Sequence, residues 1–282
     1  MTVHVLDNLI KGILTRAGVD NPDGDSREIL AAVLEINPSG LFALRDTDAD
    51  DDVREKAVHM AQRRASGEPI QYVIGSWSFM GRDYKVGEGV LIPRDDTEVV
   101  TREALRLIGK VEKPVIVDLC SGSGIIAITL DRELKGSTVY AVEKSEKAYA
   151  YLTKNAELNS SDIKPILSDF KDCADDFEDG SVDLLISNPP YIRSDEIAQL
   201  QREVRYEPRL ALDGGVSGYD FYDMIITLWS RKLKADGVIA LEIGEGQFGY
   251  ISELLKSSCY TEINGYKDIQ DITRAVTAVY RP

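Results

Sequence analysis

The chain has 282 residues, 43% hydrophobic and 29% charged, enough for one large domain or two unequal ones with a proper core. Its 48 acidic residues outnumber its 33 basic ones, giving a net charge of −15, and such a surface repels phosphate backbones and argues against a nucleic-acid partner. No apolar run approaches the roughly 20 residues needed to span a bilayer, and the N-terminus MTVHVLDNLIKGILTR lacks a signal-peptide pattern, so a cytoplasmic protein without a membrane partner is expected.

The first predicted element is a helix. Val3, Leu6, Leu9, Ile10, Ile13, Leu14 and Ala17 follow helical spacing, and Gly18 is a plausible stop. A second helix is expected after Ser26, with Ile29, Leu30, Val33 and Leu34 on one face. A third runs from Asp50-Asp51-Asp52 to Arg63-Arg64, acids at its start and bases at its end complementing the helix dipole. Residues 1–70 are therefore expected to form a helical domain, either a simple cap or a substrate-docking module. Residues 71–92 change texture: QYVIGSWSFMGRDYKV, with strand-like residues around Gly75 and Gly81, predicts a β-hairpin linker.

An amphipathic helix is expected from Thr97 to Ile108, within a second domain over residues 93–282. The apolar segments VIVDL, STVYAV, KPILS, VDLLISN and GVIALEI then alternate with helical stretches. That alternation predicts an α/β domain with a mostly parallel sheet, helices on both faces, and a ligand outside the carboxyl ends of its strands.

The first such strand, Val115–Leu119, runs into DLCSGSGIIAI, which places Gly122 and Gly124 immediately before a helix. Glycines there let the backbone turn sharply and approach a ligand. Glu143 ends the next strand about twenty residues on, where an acid can accept from ribose hydroxyls. Gly122-x-Gly124-x-x-Ala127 also fits a dinucleotide fingerprint, but Asp118 directly before the loop would oppose a pyrophosphate. A carboxylate there suits a cofactor bearing an ammonium and a sulfonium, as S-adenosylmethionine does. Ser168, Asp169 and Phe170 close the third strand, where the acid can bond an adenine amino group and the ring can pack on its face.

Ser187-Asn188-Pro189-Pro190-Tyr191, after the apolar VDLLI, is the most specific feature. A planar amide or nucleobase nitrogen has a delocalised lone pair that must be freed before it can attack a methyl sulfonium. Two acceptors, each taking one N–H, orient the group for that attack, and the Asn188 side-chain oxygen and Pro189 carbonyl suit these roles. Pro189 and Pro190 restrict the backbone and bring no N–H donors, while Tyr191 offers a flat face for stacking. With only His4 and His59 in the chain, triad chemistry has little to work with, and this mechanism needs no histidine base. Cys120, Cys173 and Cys259 are too few and too dispersed for a disulfide framework, and no metal cluster is expected.

These residues together resemble the release factor glutamine methyltransferases, the protein-(glutamine-N5) methyltransferases of the HemK/PrmC type. The resemblance covers almost the whole chain and extends to GEPIQYVIG (Gly67–Gly75), VLIPRDDTE (Val90–Glu98), EPRLALDGGVSGYDFY (Glu207–Tyr222), ALEIGEGQ (Ala240–Gln247) and KDIQDITRAV (Lys267–Val276). It implies a Rossmann-like S-adenosylmethionine-dependent methyltransferase domain behind a small N-terminal helical domain that docks the substrate. It also implies methylation of the glutamine in the Gly-Gly-Gln loop of peptide-chain release factors, by a monomer. Asp118, Leu119, Cys120, Ser121, Gly122, Glu143, Phe170 and Asn188 match the cofactor contacts, with Asp169 beside them, and Asn188, Pro189, Pro190 and Tyr191 match the substrate contacts. Arg94, Thr97 and Glu98 are expected to line the same pocket.

One departure is Cys120, where the family usually has glycine. A Cβ disfavours positive φ, so the first turn is expected to differ or not to need that conformation, with the thiol serving packing. Two rival readings stay open on the residues alone. A DNA or RNA adenine methyltransferase would need a basic face that the composition does not offer. A nucleotide-binding regulator would keep the loop and Glu143 but has no use for NPPY.

Overall fold

The computed structural model describes all 282 residues, which divide into two compact units. The first comprises Met1–Trp77 and Gln201–Tyr206, the second Ser78–Leu200 and Glu207–Pro282.

In the first unit, α1 (Val3–Arg16), α2 (Pro22–Leu34) and α3 (Asp51–Ala65) enclose a core of Leu6, Ile10, Leu14, Ile29, Leu30, Ala57 and Ala61. The side chains of Thr2, Asn21 and Asp50 cap the three helices, each accepting from a backbone N–H of the first turn. Helix α2 starts at Pro22, not after Ser26: Asn21 caps it, and proline suits the first helical position. Ser26 is instead buried within the helix, donating to Asp7 Oδ1 at 2.6 Å. Arg64, read from the sequence as a base complementing the dipole at the end of α3, is buried as well. Its guanidinium pairs with Asp25 Oδ2 at 2.6 Å, with Glu203, and with the Glu68 carbonyl at 3.2 Å.

The stretch expected to be hairpin from residue 71 begins as a helical turn, α4 (Ile70–Ile74), closed by Gly75 at φ +81°. The hairpin itself is β1 (Ser76–Phe79) and β2 (Arg82–Lys85), turning through Met80 and Gly81. Pro69 at the head of α4 favours helix initiation, which outweighs the strand propensity of Tyr72 and Val73.

The second unit is a seven-stranded sheet in the order β5-β4-β3-β6-β7-β9-β8. Strands β3 (Val115–Leu119), β4 (Thr138–Glu143), β5 (Lys164–Leu167), β6 (Val182–Ser187) and β7 (Leu233–Glu242) run parallel. The antiparallel pair β8 (Tyr260–Lys267) and β9 (Thr273–Tyr280), absent from the expected strands, completes it through β9 against β7. Helices α5 (Thr97–Ile108), α6 (Ile125–Glu133) and α7 (Glu146–Leu158) pack on one face, with Ile116, Ala141, Leu184 and Ala240 beneath them. Helices α8 (Asp220–Trp229) and α9 (Phe248–Ser257) cover the other, over Val117, Val142, Leu185 and Ile239. Alternate residues of each central strand thus serve opposite faces, both apolar, as expected of a parallel sheet covered on both sides.

Strand order reverses between β3 and β6, because β4 and β5 extend to one side and β6 and β7 to the other. The register pairs Leu119 with Val142 and with Ser187, and Ser187 with Leu241. Glu143, Cys120, Asn188 and Glu242 therefore follow one another across the strand ends around the switch point, where open α/β sheets bind ligands.

Candidate active site

The loop after β3 carries the tightest local geometry. Cys120 adopts φ +60° and Gly122 φ +56°. The expectation that cysteine relaxes this turn is overturned: the left-handed conformation is retained and Cys120 bears its steric cost, about 1–2 kcal/mol for a residue with a Cβ. At Gly122 a Cβ would meet nothing within 4 Å, so the loop backbone faces open space. The half-buried Cys120 thiol lines the cavity, and burial, reinforced by the charges of Glu143 and Asp118, raises its pKa. A neutral thiol is a poor nucleophile, in keeping with a packing role. Because β-branching is least tolerated at positive φ, Cys120→Val is expected to destabilise the fold by about 1–2 kcal/mol in urea denaturation, despite similar size and polarity.

Glu143, at the end of β4, is buried and accepts from Gly122 N at 2.8 Å through Oε2 and from Ser145 N at 2.7 Å through Oε1. Burial raises its pKa against these two bonds. Asp169 accepts from Lys144 Nζ at 2.8 Å and Lys171 N at 3.1 Å. Burial would raise its pKa, but these partners hold it below the ordinary value. The ring of Phe170 is buried beside Phe221, and its carbonyl accepts from Trp229 Nε1 at 3.1 Å. Cys120, Ser121, Gly122, Glu143, Asp169, Phe170, Asn188 and Pro190 all line one cavity, together with Arg94, Thr97 and the aliphatic side chains of Ile92 and Leu210.

Four expected site residues do not line it. Asp118 is fully buried beneath α6, its Oδ2 accepting from Ala127 N at 3.2 Å and its Oδ1 unpartnered. In the structure it anchors the start of α6 instead of presenting a carboxylate to the cavity. Leu119 points into the core. Pro189 is buried, which leaves only its backbone carbonyl to serve a substrate. Tyr191 turns away: its hydroxyl lies 3.4 Å from Glu242 Oε1, and its ring occupies the space where a Cβ at Gly244 would come within 3.1 Å of it. Glu98 also misses the cavity, pairing with Arg102 one helical turn on at 2.7 Å.

Burial pushes the Asp118 carboxyl up to about 8, assisted by the nearby Glu143 charge. A folded-state value above the unfolded one means the stabilising form is the protonated acid, present in full below about pH 4 and lost as the pH rises toward 8. Asp118→Asn, which cannot ionise, is therefore expected to gain stability over the unsubstituted protein by about 4 kcal/mol between about pH 5 and pH 8. Urea titrations at the two pH values measure it, and a constant difference would show that Asp118 ionises freely in the fold.

The tetrapeptide is braced from behind by Ser187, which precedes it, and by residues to which motif reading gave no role. Ser187 Oγ donates to the Leu119 carbonyl at 2.6 Å, tying β6 to β3. Gln247 donates to the carbonyls of Tyr191 and Gly218 and accepts from Gly244 N and the Tyr222 hydroxyl, so its amide is fully used. At Gly214 a Cβ would lie 2.7 Å from Tyr191 Cα, so only glycine lets the two backbones approach this closely. Glu207, also buried, accepts from Ile92 N at 2.9 Å and pairs with Arg94, shaping the rim. The signals for Glu207, Gly214 and Gln247 lay in EPRLALDGG and ALEIGEGQ, but no local spacing rule ties those segments to NPPY. In front, the Asn188 amide Nδ2 lies 3.2 Å from Thr97 Oγ1, at the head of α5.

Two family models match the chain: PrmC N-terminal domain over residues 8–75 and Methyltransferase small domain over residues 99–205. A release factor glutamine methyltransferase from Fusobacterium nucleatum is 36% identical over 271 residues, covering 94% of this chain and 75% of that one. Another, from Geobacter sulfurreducens, is 33% identical over 276 residues, covering 98% and 95%. Among solved structures, the hMettl16 catalytic domain in complex with MAT2A 3'UTR hairpin 1 has a TM-score of 0.59 at 15% identity, covering 90% of this chain and 93% of that one. A methyltransferase from Pyrococcus furiosus has a TM-score of 0.51 at 16% identity, covering 73% and 92%. Those two structures share the fold alone. The relatives match on both sides of the boundary between the two units and through the loop that ends β6, and on that footing the chain belongs to the release factor glutamine methyltransferase family.

Proposed function

We propose that this chain transfers a methyl group from S-adenosylmethionine to the side-chain nitrogen of the glutamine in the Gly-Gly-Gln loop of peptide-chain release factors. The observation that carries this reading is that Asn188 and Pro190 line the same cavity as Glu143, Asp169, Phe170 and the Cys120–Gly122 loop. One cavity can therefore bring a planar amide to a nucleoside-bearing methyl donor.

The residues fit that donor. Glu143 retains free lone pairs for ribose hydroxyls, Phe170 and Ile126 offer apolar walls for a base, and the loop backbone faces open space at Gly122. When bound, the cofactor supplies an electrophilic methyl on a sulfonium. The chain's own work is positioning and electrostatics. The Asn188 oxygen accepts one N–H of the substrate amide and the Pro189 carbonyl the other, which turns the nitrogen lone pair toward the methyl. As nitrogen gains the methyl it becomes strongly acidic and loses its proton without a dedicated base.

In this reading the helical unit docks the release factor, with the chain acting as a monomer in the cytoplasm. An acidic surface suits a partner with basic patches better than a nucleic acid. No helix is long and apolar enough to cross a membrane.

The test uses purified protein, tritiated S-adenosylmethionine and a recombinant release factor, with a Gln→Ala variant of its Gly-Gly-Gln loop as control. Label in the unaltered factor and none in the control is the expected result. Label in duplex DNA or ribosomal RNA, and in neither factor, would overturn the substrate.

A further inference from the structure

We propose that Gln247, buried in the turn between β7 and α9, is a positioning residue that clamps the Tyr191 carbonyl and thereby fixes the Pro189 carbonyl where it accepts the substrate amide. This rests on the amide-methylation reading above, and deepens it.

The two ends of a carboxamide are nearly the same size, so its orientation is certain only where its neighbours are unambiguous. At Gln247 they are. Oε1 lies 2.8 Å from Gly244 N, and a backbone N–H only donates. Nε2 lies 3.1 Å from the Tyr191 carbonyl and 3.2 Å from the Gly218 carbonyl, which only accept. The opposite orientation would set an oxygen against two carbonyls and an NH₂ against an N–H. The Tyr222 hydroxyl, 3.1 Å from Oε1, completes the set.

The surroundings are cleared for this side chain, which is 8% exposed. A Cβ at Gly244 would lie 3.0 Å from its Oε1. One at Gly218 would lie 3.2 Å from its Nε2 and 2.8 Å from the Tyr191 carbonyl. Glycine at both positions lets the amide reach the two carbonyls.

What the clamp does follows from where it acts. Before the tetrapeptide, the bond from Ser187 Oγ to the Leu119 carbonyl holds the end of β6. The two prolines that follow Asn188 have no N–H, so neither can be tied down as a backbone donor. After them, the peptide group of Tyr191 and Ile192 is held on one side by Ile192 N, which donates to the Leu212 carbonyl at 3.0 Å. One bond leaves that peptide free to rock about it. The bond from Gln247 to the Tyr191 carbonyl supplies the second point and fixes the plane. Because Pro190 locks its own φ, few soft torsions separate that plane from the Pro189 carbonyl. Gln247 does not line the cavity, so it acts on the reaction only through this backbone.

The experiment combines release-factor methylation kinetics with an exchange measurement that needs no substrate. Gln247→Glu is nearly isosteric and keeps an acceptor for Gly244 N, but when ionised its second oxygen has no proton for the two carbonyls. At about pH 8 it is expected to lower kcat by about 10–100-fold, with S-adenosylhomocysteine affinity, measured by calorimetry, within about twofold. An acid facing two carbonyls favours its protonated form, which returns one donor. The kcat of this variant, as a ratio to that of the unsubstituted protein, should therefore rise as the pH falls from about 8 to about 6. The titratable or charged groups around this position are the Tyr191 and Tyr222 phenols, Tyr219 next to Gly218, the Glu242 carboxylate at the Tyr191 hydroxyl, and Arg193, whose Cγ flanks Gly218. All are present in the unsubstituted protein, so the ratio cancels their own titration. Gln247→Met, of similar length but without hydrogen bonds, should show the loss and no recovery at low pH. In isotope-labelled protein the Gln247 side-chain NH₂ should be protected from exchange. That readout separates the two readings: a protected NH₂ with no label entering the release factor overturns the substrate assignment and upholds the clamp, whereas an unprotected NH₂ overturns the clamp whatever the substrate. Full turnover by both variants, or the same pH profile in both, overturns it as well.

Discussion

Asn188→Ala is expected to lower kcat by about 10²–10³, with cofactor affinity changed far less. The magnitude is that of removing one preorganised hydrogen-bond partner from a site where charge develops. Alanine leaves the Pro189 carbonyl as the sole acceptor, so the substrate amide keeps one anchor and can rotate about it. The lone pair then spends little time aligned with the methyl, and the loss falls on the chemical step. In the proposed reading cofactor affinity depends mainly on Glu143, Asp169 and the loop after β3, none of which hydrogen-bonds Asn188. Single-turnover kinetics alongside calorimetric binding of S-adenosylhomocysteine separates the two quantities. An alanine variant that turns over normally would remove the two-acceptor mechanism while leaving the cofactor site intact.

The largest stability effect is expected far from the chemistry, at Arg64. Its side chain is 5% exposed and that of its partner Asp25 10%, so the pair is withdrawn from water. Arg64→Leu leaves the Asp25 carboxylate buried without its counter-charge, which costs about 3–5 kcal/mol. Even with Arg64 present, burial holds the Asp25 pKa above the usual carboxylate value. The deficit should therefore shrink as the pH falls, because Asp25 then takes a proton instead of remaining an unpaired charge. Replacing Asp25 and Arg64 together with apolar residues should recover much of the loss, because the desolvation penalty disappears with the charges. Glu203, the third member, is 40% exposed and can return to solvent. Urea denaturation of the three variants tests this, and an Arg64→Leu protein as stable as the unsubstituted one would show that Asp25 is solvated in solution.

Periodicity alone determined a large part of this molecule. Helical spacing located α1 and α3, and apolar runs of strand length located β3 through β7, because each records which face of an element is buried. The site was legible where one contiguous segment carries the chemistry. Cys120–Gly122, Glu143, Asp169-Phe170 and Asn188 all end strands of a parallel sheet, and parallel strand ends converge by topology. Two local readings failed for local reasons: Pro69 starts a helical turn where a strand was expected, and Asn21-Pro22 starts α2 ahead of Ser26. The remaining features were decided by tertiary structure. Whether Asp118 and Tyr191 face the cavity or the core depends on which neighbour covers each side chain, and no spacing rule carries that. Arg64 meets Glu203, and Thr97 meets Asn188, across long stretches of chain, so their partners exist only once the fold is complete. Glu242 shows the division best. Its strand was predictable from apolar pattern, but its place beside Asn188 follows from the register of β6 against β7.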